Sequence, residues 1–203
     1  MIAAIIVAAG RSSRMGTSKA LLRHTDLGTT FVDYLIHACQ EAGAVPFVVG
    51  RPDDDELYRQ VNSASAVYVA NPGSDAGQLS SLIAGLNAAS VDPQLQGVLL
   101  APVDIPLITA ATVARLIGSA SRTSAAIVRP TYAGRHGHPV LFKRQLFDEL
   151  RSADPSVGAK AVVRVNPGRV LDVEVDDPGV TMDVDTPADY ERLFGRPIDT
   201  LRS

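Results

Sequence analysis

Short apolar runs alternate with amphipathic segments along the first 130 residues of the chain, and this alternation limits the folds available to it. The apolar runs are bounded by turn residues, which predicts strands at residues 2–7, 45–49, 67–70, 98–101 and 125–129. The segments between them have helical periodicity and predict helices at residues 31–42, 53–62, 78–89 and 110–119. Strands that alternate with helices form right-handed βαβ units around a parallel sheet. We therefore expect an α/β fold with a mostly parallel sheet.

The pattern changes after residue 130, where a tight loop at residues 134–139 precedes a shorter set of elements. Strands are predicted at residues 140–142 and 169–175, and helices at residues 143–150, 157–163 and 187–194. Thr186 fits the N-cap of the last helix. No linker or repeat divides the chain, so we expect one domain with halves at residues 1–130 and 131–194 and a tail at residues 195–203.

Composition excludes several classes of protein. Hydrophobic residues make up 46% of the chain and charged residues 20%, which is enough for a packed core, and the net charge of −3 argues against nonspecific nucleic-acid binding. The single cysteine, Cys39, cannot form an intrachain disulfide or a multi-cysteine zinc site, and its helical context favours a buried structural thiol over a catalytic one. No stretch is long enough to span a membrane, and the apolar start lacks the basic segment of a signal peptide. We expect a cytoplasmic protein with no membrane partner.

The segment after the first strand has the composition of an anion-binding loop. It reads Ala8-Ala9-Gly10-Arg11-Ser12-Ser13-Arg14-Met15-Gly16-Thr17-Ser18-Lys19. Small residues let backbone N–H groups approach phosphate oxygens, and the cations neutralise charge. The spacing is neither that of a P-loop nor that of a Gly-x-Gly-x-x-Gly dinucleotide turn. On its own, the segment is also compatible with a basic, solvated surface loop.

Two aspartates are candidates for a metal site. Asp104 follows an apolar run and lies between Pro102 and Pro106, which fix the backbone direction. Asp183 and Asp185 alternate in an extended segment before the last helix, so both are expected on one face, and Asp185 could complete a site with Asp104. Mg²⁺ favours oxygen ligands from one or two carboxylates together with phosphate. The alternative interpretation is that Asp104 caps a helix and that Asp185 belongs to a turn at the start of a helix.

Two histidines lie in the tight loop of the second half. His136 and His138 flank Gly137, and Pro139 follows them. Without further cysteines or a histidine cluster, zinc binding is not expected, and the loop is better interpreted as a wall of a substrate pocket or as a structural turn. No Ser-His-Asp or Cys-His set has a credible context. Aromatic residues make up only 5% of the chain and tryptophan is absent, so no base-stacking platform for single-stranded nucleic acid is expected.

Together these segments resemble the MobA-like nucleotidyltransferases and, within that group, the molybdenum cofactor cytidylyltransferases. The resemblance runs from about residue 2 to residue 194. The motifs that carry it are Ala8-Ala9-Gly10-x-x-x-Arg14-Met15-Gly16-x-x-Lys19, Asn71-Pro72 with Gly77 and Ser80-Ser81, Asp104-Ile105-Pro106, Gly137-His138-Pro139-Val140-Leu141-Phe142, and Asp183-Val184-Asp185-Thr186-Pro187.

The resemblance implies a Rossmann-like, three-layer α/β/α fold and the transfer of a nucleotidyl group from an NTP to a phosphate acceptor, with release of pyrophosphate. Arg14, Lys19 and Asp104 would be catalytic, because the two cations would offset charge on the α-phosphate and on the leaving pyrophosphate. Asp104 and Asp185 would hold Mg²⁺ between the NTP and the acceptor. The first half of the domain would bind the NTP and the second half the acceptor.

The same resemblance implies the binding residues. Gly137, His138 and Pro139 would face the acceptor, a molybdopterin-type pterin phosphate in the cytidylyltransferases. The residues implied for the nucleotide are Gly10, Arg11, Ser12, Ser13, Met15 and Gly16 around the triphosphate, and Ala8, Ala9, Asn71, Gly77 and Ser81 beside the base and ribose. Such a product also implies transient contact with a molybdoenzyme.

Three positions qualify the resemblance. Ala9 stands where guanylyl relatives usually carry glycine, and this favours CTP over GTP. Val7 stands where cytidylyl relatives often carry threonine, so this position departs from the cytidylyl pattern. Ile105 replaces a frequent methionine and leaves the neighbouring carboxylate intact. Two alternatives stay open: an enzyme of the same fold that uses GTP or another NTP with a sugar phosphate or other phosphorylated acceptor, and a chaperone that binds nucleotide or cofactor without catalysis.

Overall fold

The first strand, β1 (Ile2–Val7), is apolar at every position and lies inside an eight-stranded sheet. It pairs in parallel with β2 (Val45–Gly50) on one side and with β4 (Gly97–Pro102) on the other, and β3 (Val67–Ala70) extends the parallel arrangement beyond β2. Strands covered on both faces need apolar residues at successive positions, as β1 and β4 show. The computed structural model describes residues 1–10, 15–24 and 28–198, so the predicted tail lies outside it from residue 199 onward.

The second half of the chain joins the same sheet through β5 (Ile127–Tyr132). Strand β7 (Val140–Lys143) lies antiparallel between β4 and β5, and β8 (Val170–Glu174) pairs in parallel with β5. The short strand β6 (Arg135–His136) pairs with the end of β5, so the prediction of a loop there was wrong for these two residues. Pairing with β6 and β8 also extends β5 beyond its predicted end. The strand order β3-β2-β1-β4-β7-β5-β6, with β8 beside β5, confirms an α/β fold with a mostly parallel sheet.

Alternating side chains of β1 separate two layers of helices. Ile6 belongs to one core cluster with Leu35 and Leu116, whereas Ile5 belongs to the opposite cluster with Leu82. One layer contains α1 (Phe31–Glu41), α2 (Asp55–Ser63), α4 (Ala110–Arg122) and α7 (Pro187–Phe194), and the other contains α3 (Gln78–Ala89), α5 (Phe147–Arg151) and α6 (Lys160–Val165). The three-layer α/β/α architecture is therefore confirmed. No helix among the described residues is long and apolar enough to cross a membrane.

Two helices of the second half begin later than the sequence indicated. The helix predicted at residues 143–150 begins at Phe147, because β7 takes its first residue and a 3-10 turn, Arg144–Leu146, follows. The helix predicted at residues 157–163 is α6, which starts after Gly158. The φ of Gly158 is 78°, in the left-handed region that interrupts a helix.

A buried carboxylate fastens the last part of the chain to the start of α4. Asp177 Oδ2 accepts hydrogen bonds from the Thr109 hydroxyl at 2.8 Å, from the Thr109 backbone N–H at 3.1 Å and from the Thr112 hydroxyl at 2.7 Å. Its Oδ1 accepts from the Gly179 N–H at 3.0 Å. A Cβ on Gly179 would collide with the backbone of Leu107, so only glycine fits this approach. The Asp177 carboxylate therefore fixes the position of the segment that follows it.

We expect Asp177→Ala to lower the free energy of unfolding by about 3 kcal/mol, because several buried donors lose their acceptor. Urea denaturation monitored by circular dichroism measures the change. Asp176→Ala is the matched control, since Asp176 is an exposed neighbour, and we expect a change within about 0.5 kcal/mol for it. Equal effects of the two substitutions would contradict the role of the Asp177 carboxylate.

Candidate active site

Two carboxylates from distant parts of the chain meet beyond the carboxyl end of β4. Asp104 follows β4 and Asp185 precedes α7, and the Val184 N–H donates a 2.8 Å hydrogen bond to the backbone carbonyl of Asp104. Lys19 Nζ lies 2.6 Å from Asp185 Oδ1 and 3.6 Å from Asp104 Oδ2. The ammonium group therefore screens two carboxylates that would otherwise repel each other.

Helix capping does not account for either carboxylate. At the start of α7, Thr186 and Asp189 form a reciprocal capping box. At the start of α4, the Thr109 side chain accepts a hydrogen bond from the Thr112 N–H. The structure gives both capping functions to other residues, and the Asp104 and Asp185 side chains line a cleft instead.

The cleft has a volume of about 280 Å³ and lies where β1, β4 and the start of α3 converge. It brings together eight of the residues singled out from the sequence, which are Ala8, Ala9, Gly10, Lys19, Gly77, Ser81, Asp104 and Asp185. The sequence reasoning missed Ser74 and Gln78, which also line it. Both flank Gly77 closely along the chain, and this proximity was the only signal that could have found them. Clefts beyond the carboxyl ends of parallel strands are the usual ligand sites of α/β sheets.

Several other residues singled out from the sequence do not line this cleft. Asn71 is buried, and its side-chain NH₂ donates to the hydroxyls of Ser80 and Ser81, each at 3.1 Å. Met15 packs in the core and Gly16 lies exposed beside it in the chain. Arg11, Ser12, Ser13 and Arg14 lie outside the described residues. Asn71 therefore contributes to the cleft indirectly, because its side chain fixes Ser80 and Ser81 at the start of α3.

The loop between β6 and β7 faces a second cavity, of about 530 Å³. Gly137 and His138 line it, whereas Pro139 is buried and does not. The His138 N–H donates to the Val180 carbonyl at 2.9 Å, and a Cβ on Gly137 would collide with the same backbone. The segment fixed by Asp177 thus holds this loop in place. Gln78 lines both cavities, so the two adjoin.

Burial and charge perturb one titratable group in each cavity, Asp104 in the cleft and His138 in the second cavity. Burial raises the pKa of Asp104, and the Asp185 charge raises it further, whereas Lys19 lowers it. Burial lowers the pKa of His138, against the opposing effect of Asp104. Cys39 is 2% exposed, and burial raises its pKa to about 12, so it lies buried as the sequence indicated. The pair of carboxylates is therefore an environment that favours a bound cation.

Replacing Lys19 by Met removes the group that lowers the pKa of Asp104, so that pKa rises further above its value in the unfolded chain. A carboxyl whose pKa is raised by folding destabilises the folded state above that pKa and stops doing so once protonated. We therefore expect Lys19→Met to cost about 1 kcal/mol near pH 7, a cost that shrinks as the pH falls to about 4.5.

Urea denaturation of wild type and variant at both pH values measures this difference. Lys143→Met is the matched control, because Lys143 Nζ donates to the backbone carbonyl of Thr123 and, within the described residues, no carboxylate pairs with it. We expect its effect to be independent of pH. A pH-independent cost for Lys19→Met as well would contradict the electrostatic account.

Comparisons with known proteins give a family and close structural likenesses. Residues 4–172 match the MobA-like NTP transferase domain. The solved structure of an Rv0371c homolog from Mycobacterium sp. strain JC1 is 33% identical, with 96% of this chain and 95% of that chain covered and a TM-score of 0.76. Mycobacterium tuberculosis Rv0371c in complex with manganese is 30% identical, with 96% and 98% covered and a TM-score of 0.76.

A third likeness shows the fold alone. A nucleotidyl transferase from Methanothermobacter thermautotrophicus is 24% identical, with 95% of each chain covered and a TM-score of 0.78. A search of curated protein sequences found no match.

Proposed function

Because the chain belongs to the MobA-like NTP transferase domain family, a family of nucleotidyltransferases, we propose that it transfers CMP from CTP to the phosphate of a molybdopterin-type cofactor. One observation carries the proposal: Lys19, Asp104 and Asp185 converge in a cleft beyond the ends of β1 and β4, and a second cavity adjoins this cleft at Gln78. A transfer between two anionic substrates needs this combination of a cation and metal-binding carboxylates at the junction of two sites.

The nucleotide would occupy the smaller cleft. Ala8 and Ala9 line it just after β1, and Gly77 and Ser81 line it at the start of α3. Small side chains here leave room for a base and ribose, and Ala9 favours CTP as argued from the sequence. Gly10 leads into the loop proposed to enclose the triphosphate, where Arg11, Ser12, Ser13, Arg14, Met15 and Gly16 follow.

The donor set fits a hard divalent cation. Two carboxylates face one cleft, and burial together with the Asp185 charge raises the pKa of Asp104. A divalent ion would relieve the repulsion between the carboxylates that Lys19 relieves here. Asp104 and Asp185 would hold Mg²⁺ through oxygen atoms, as Mg²⁺ prefers. When bound, the ion would neutralise charge on the triphosphate and on the acceptor phosphate. The manganese complex of Rv0371c supports a divalent ion in a protein of this family.

The transfer itself needs no protein nucleophile. An oxygen of the acceptor phosphate would attack the α-phosphorus of CTP, the bond from that phosphorus to the bridging oxygen would break, and pyrophosphate would leave. Lys19 lies where it can offset the negative charge that develops during this step, and Arg14 is proposed to act from the preceding loop. The Gly137-His138 loop would position the acceptor phosphate beside Asp104.

An assay of pyrophosphate release tests this reaction with CTP, GTP and ATP, each with and without molybdopterin cofactor, in Mg²⁺ or Mn²⁺. We expect release only when nucleotide and cofactor are both present, and fastest release with CTP. Faster release with GTP would overturn the base assignment. Binding of cofactor without release from any nucleotide would instead identify a chaperone.

We expect Asp104→Asn to lower kcat roughly 10²-fold or more, because the cleft loses one of its two anionic ligands while the side chain keeps its size. Asp183→Asn is the matched control, since Asp183 is an exposed neighbour of the metal-binding segment and does not line the cleft. Pyrophosphate release at saturating Mg²⁺ provides the measurement. Near-normal turnover of Asp104→Asn would rule out the metal-binding role.

A further inference from the structure

The cavity beside the Gly137-His138 loop is positively charged. Arg129, Lys160 and Arg164 line it, and its described lining residues include no carboxylate. Arg129 is already compensated, because its Nε lies 2.5 Å from Asp172 Oδ1 and its guanidinium also donates to Oδ2 at 3.3 Å. The charge available to a ligand therefore comes from the two cations of α6.

Lys160 and Arg164 lie four positions apart on α6, so they project from the same face of the helix about one turn apart. Both side chains are exposed, and across the described ranges of the chain neither forms an ion pair with a carboxylate. An exposed cation without a protein partner can bind a ligand anion without first breaking an ion pair.

Apart from these cations, the cavity is lined largely by apolar side chains. An apolar surface formed by Leu79, Leu100, Val140 and Phe142 lies between β4, β7 and the start of α3. His138 interacts electrostatically both with Asp104 of the cleft and with Lys160 of α6. A molecule that extends from Asp104 into this cavity would contact His138, the apolar surface and the cations of α6.

We propose that Lys160 and Arg164 determine acceptor specificity by binding an anionic group of the acceptor other than the phosphate that receives the nucleotidyl group. The preferred acceptor is thus a phosphate monoester that carries a second anionic group and whose planar body can lie against the apolar surface. This inference rests on the proposed function, because it places the reacting phosphate at Asp104. Simple sugar phosphates, which lack the planar body and the second anionic group, would bind poorly.

Steady-state kinetics of pyrophosphate release with CTP and molybdopterin cofactor test whether Lys160 and Arg164 bind the acceptor. Lys160→Gln and Arg164→Gln should each raise the KM for the cofactor about fivefold, with a larger increase in the double variant. The kcat and the KM for CTP should change less than about twofold, since α6 does not line the nucleotide cleft. Arg164→Lys should restore most of the affinity, because it restores the charge. Added salt should raise the cofactor KM of wild type more than that of the double variant.

Arg115→Gln is the matched control. Arg115 is an exposed arginine on α4, in the opposite helical layer, and its loss should leave all constants unchanged. If the α6 variants behave like Arg115→Gln, the inference is overturned and the proposed function stands. If the wild type releases no pyrophosphate, the proposed function fails, and calorimetric binding of the cofactor decides the inference alone. Weaker binding by the double variant would then support it, and equal or absent binding would overturn it.

Discussion

The 2.8 Å hydrogen bond from the Val184 amide to the Asp104 carbonyl joins the end of β4 to the segment before α7, and the candidate site depends on this contact. It brings together carboxylates that are 81 positions apart in the chain. Two carboxylates in one cleft repel each other, so the fold must hold them there. Burial of Val184 and Tyr190 fixes one side of the contact, and the buried strand β4 fixes the other. Lys19 supplies the countercharge.

A second set of contacts places the other half of the site. The Asp177 carboxylate fastens the segment before Val180 to the start of α4, and Val180 in turn accepts the hydrogen bond that orients His138. Both cavities are therefore positioned by irregular segments that are fixed to the ends of regular elements. This division is typical of α/β proteins, in which a rigid sheet supports loops that carry the chemistry.

The parts of the structure that depend on local pattern could be predicted from the sequence. The apolar runs of β1 and β4 and the caps at Thr109 and Thr186 are visible in short segments. Asp104 could be singled out because it is a carboxylate between two prolines, just after an apolar run. The bonds of Asp177 could not be predicted, since its partners lie 65 and 68 positions away and no local pattern marks them. The support role of Asn71 was missed for a different reason: its partners lie only 9 and 10 positions away, but a polar residue after a strand can equally well face a ligand or bond to the protein. The cations of α6 became informative only once the structure placed them in the same cavity as His138.

We propose that Asp104 and Asp185 form one metal site in the cleft that adjoins the second cavity. A crystal structure with Mn²⁺ and a non-hydrolysable CTP analogue tests this site through the anomalous scattering of manganese. We expect a single strong anomalous peak between the two carboxylates and the α-phosphate, with Lys19 turned from the carboxylates toward the phosphates. An anomalous peak elsewhere, or a bound nucleotide whose α-phosphate lies away from both carboxylates, would contradict it.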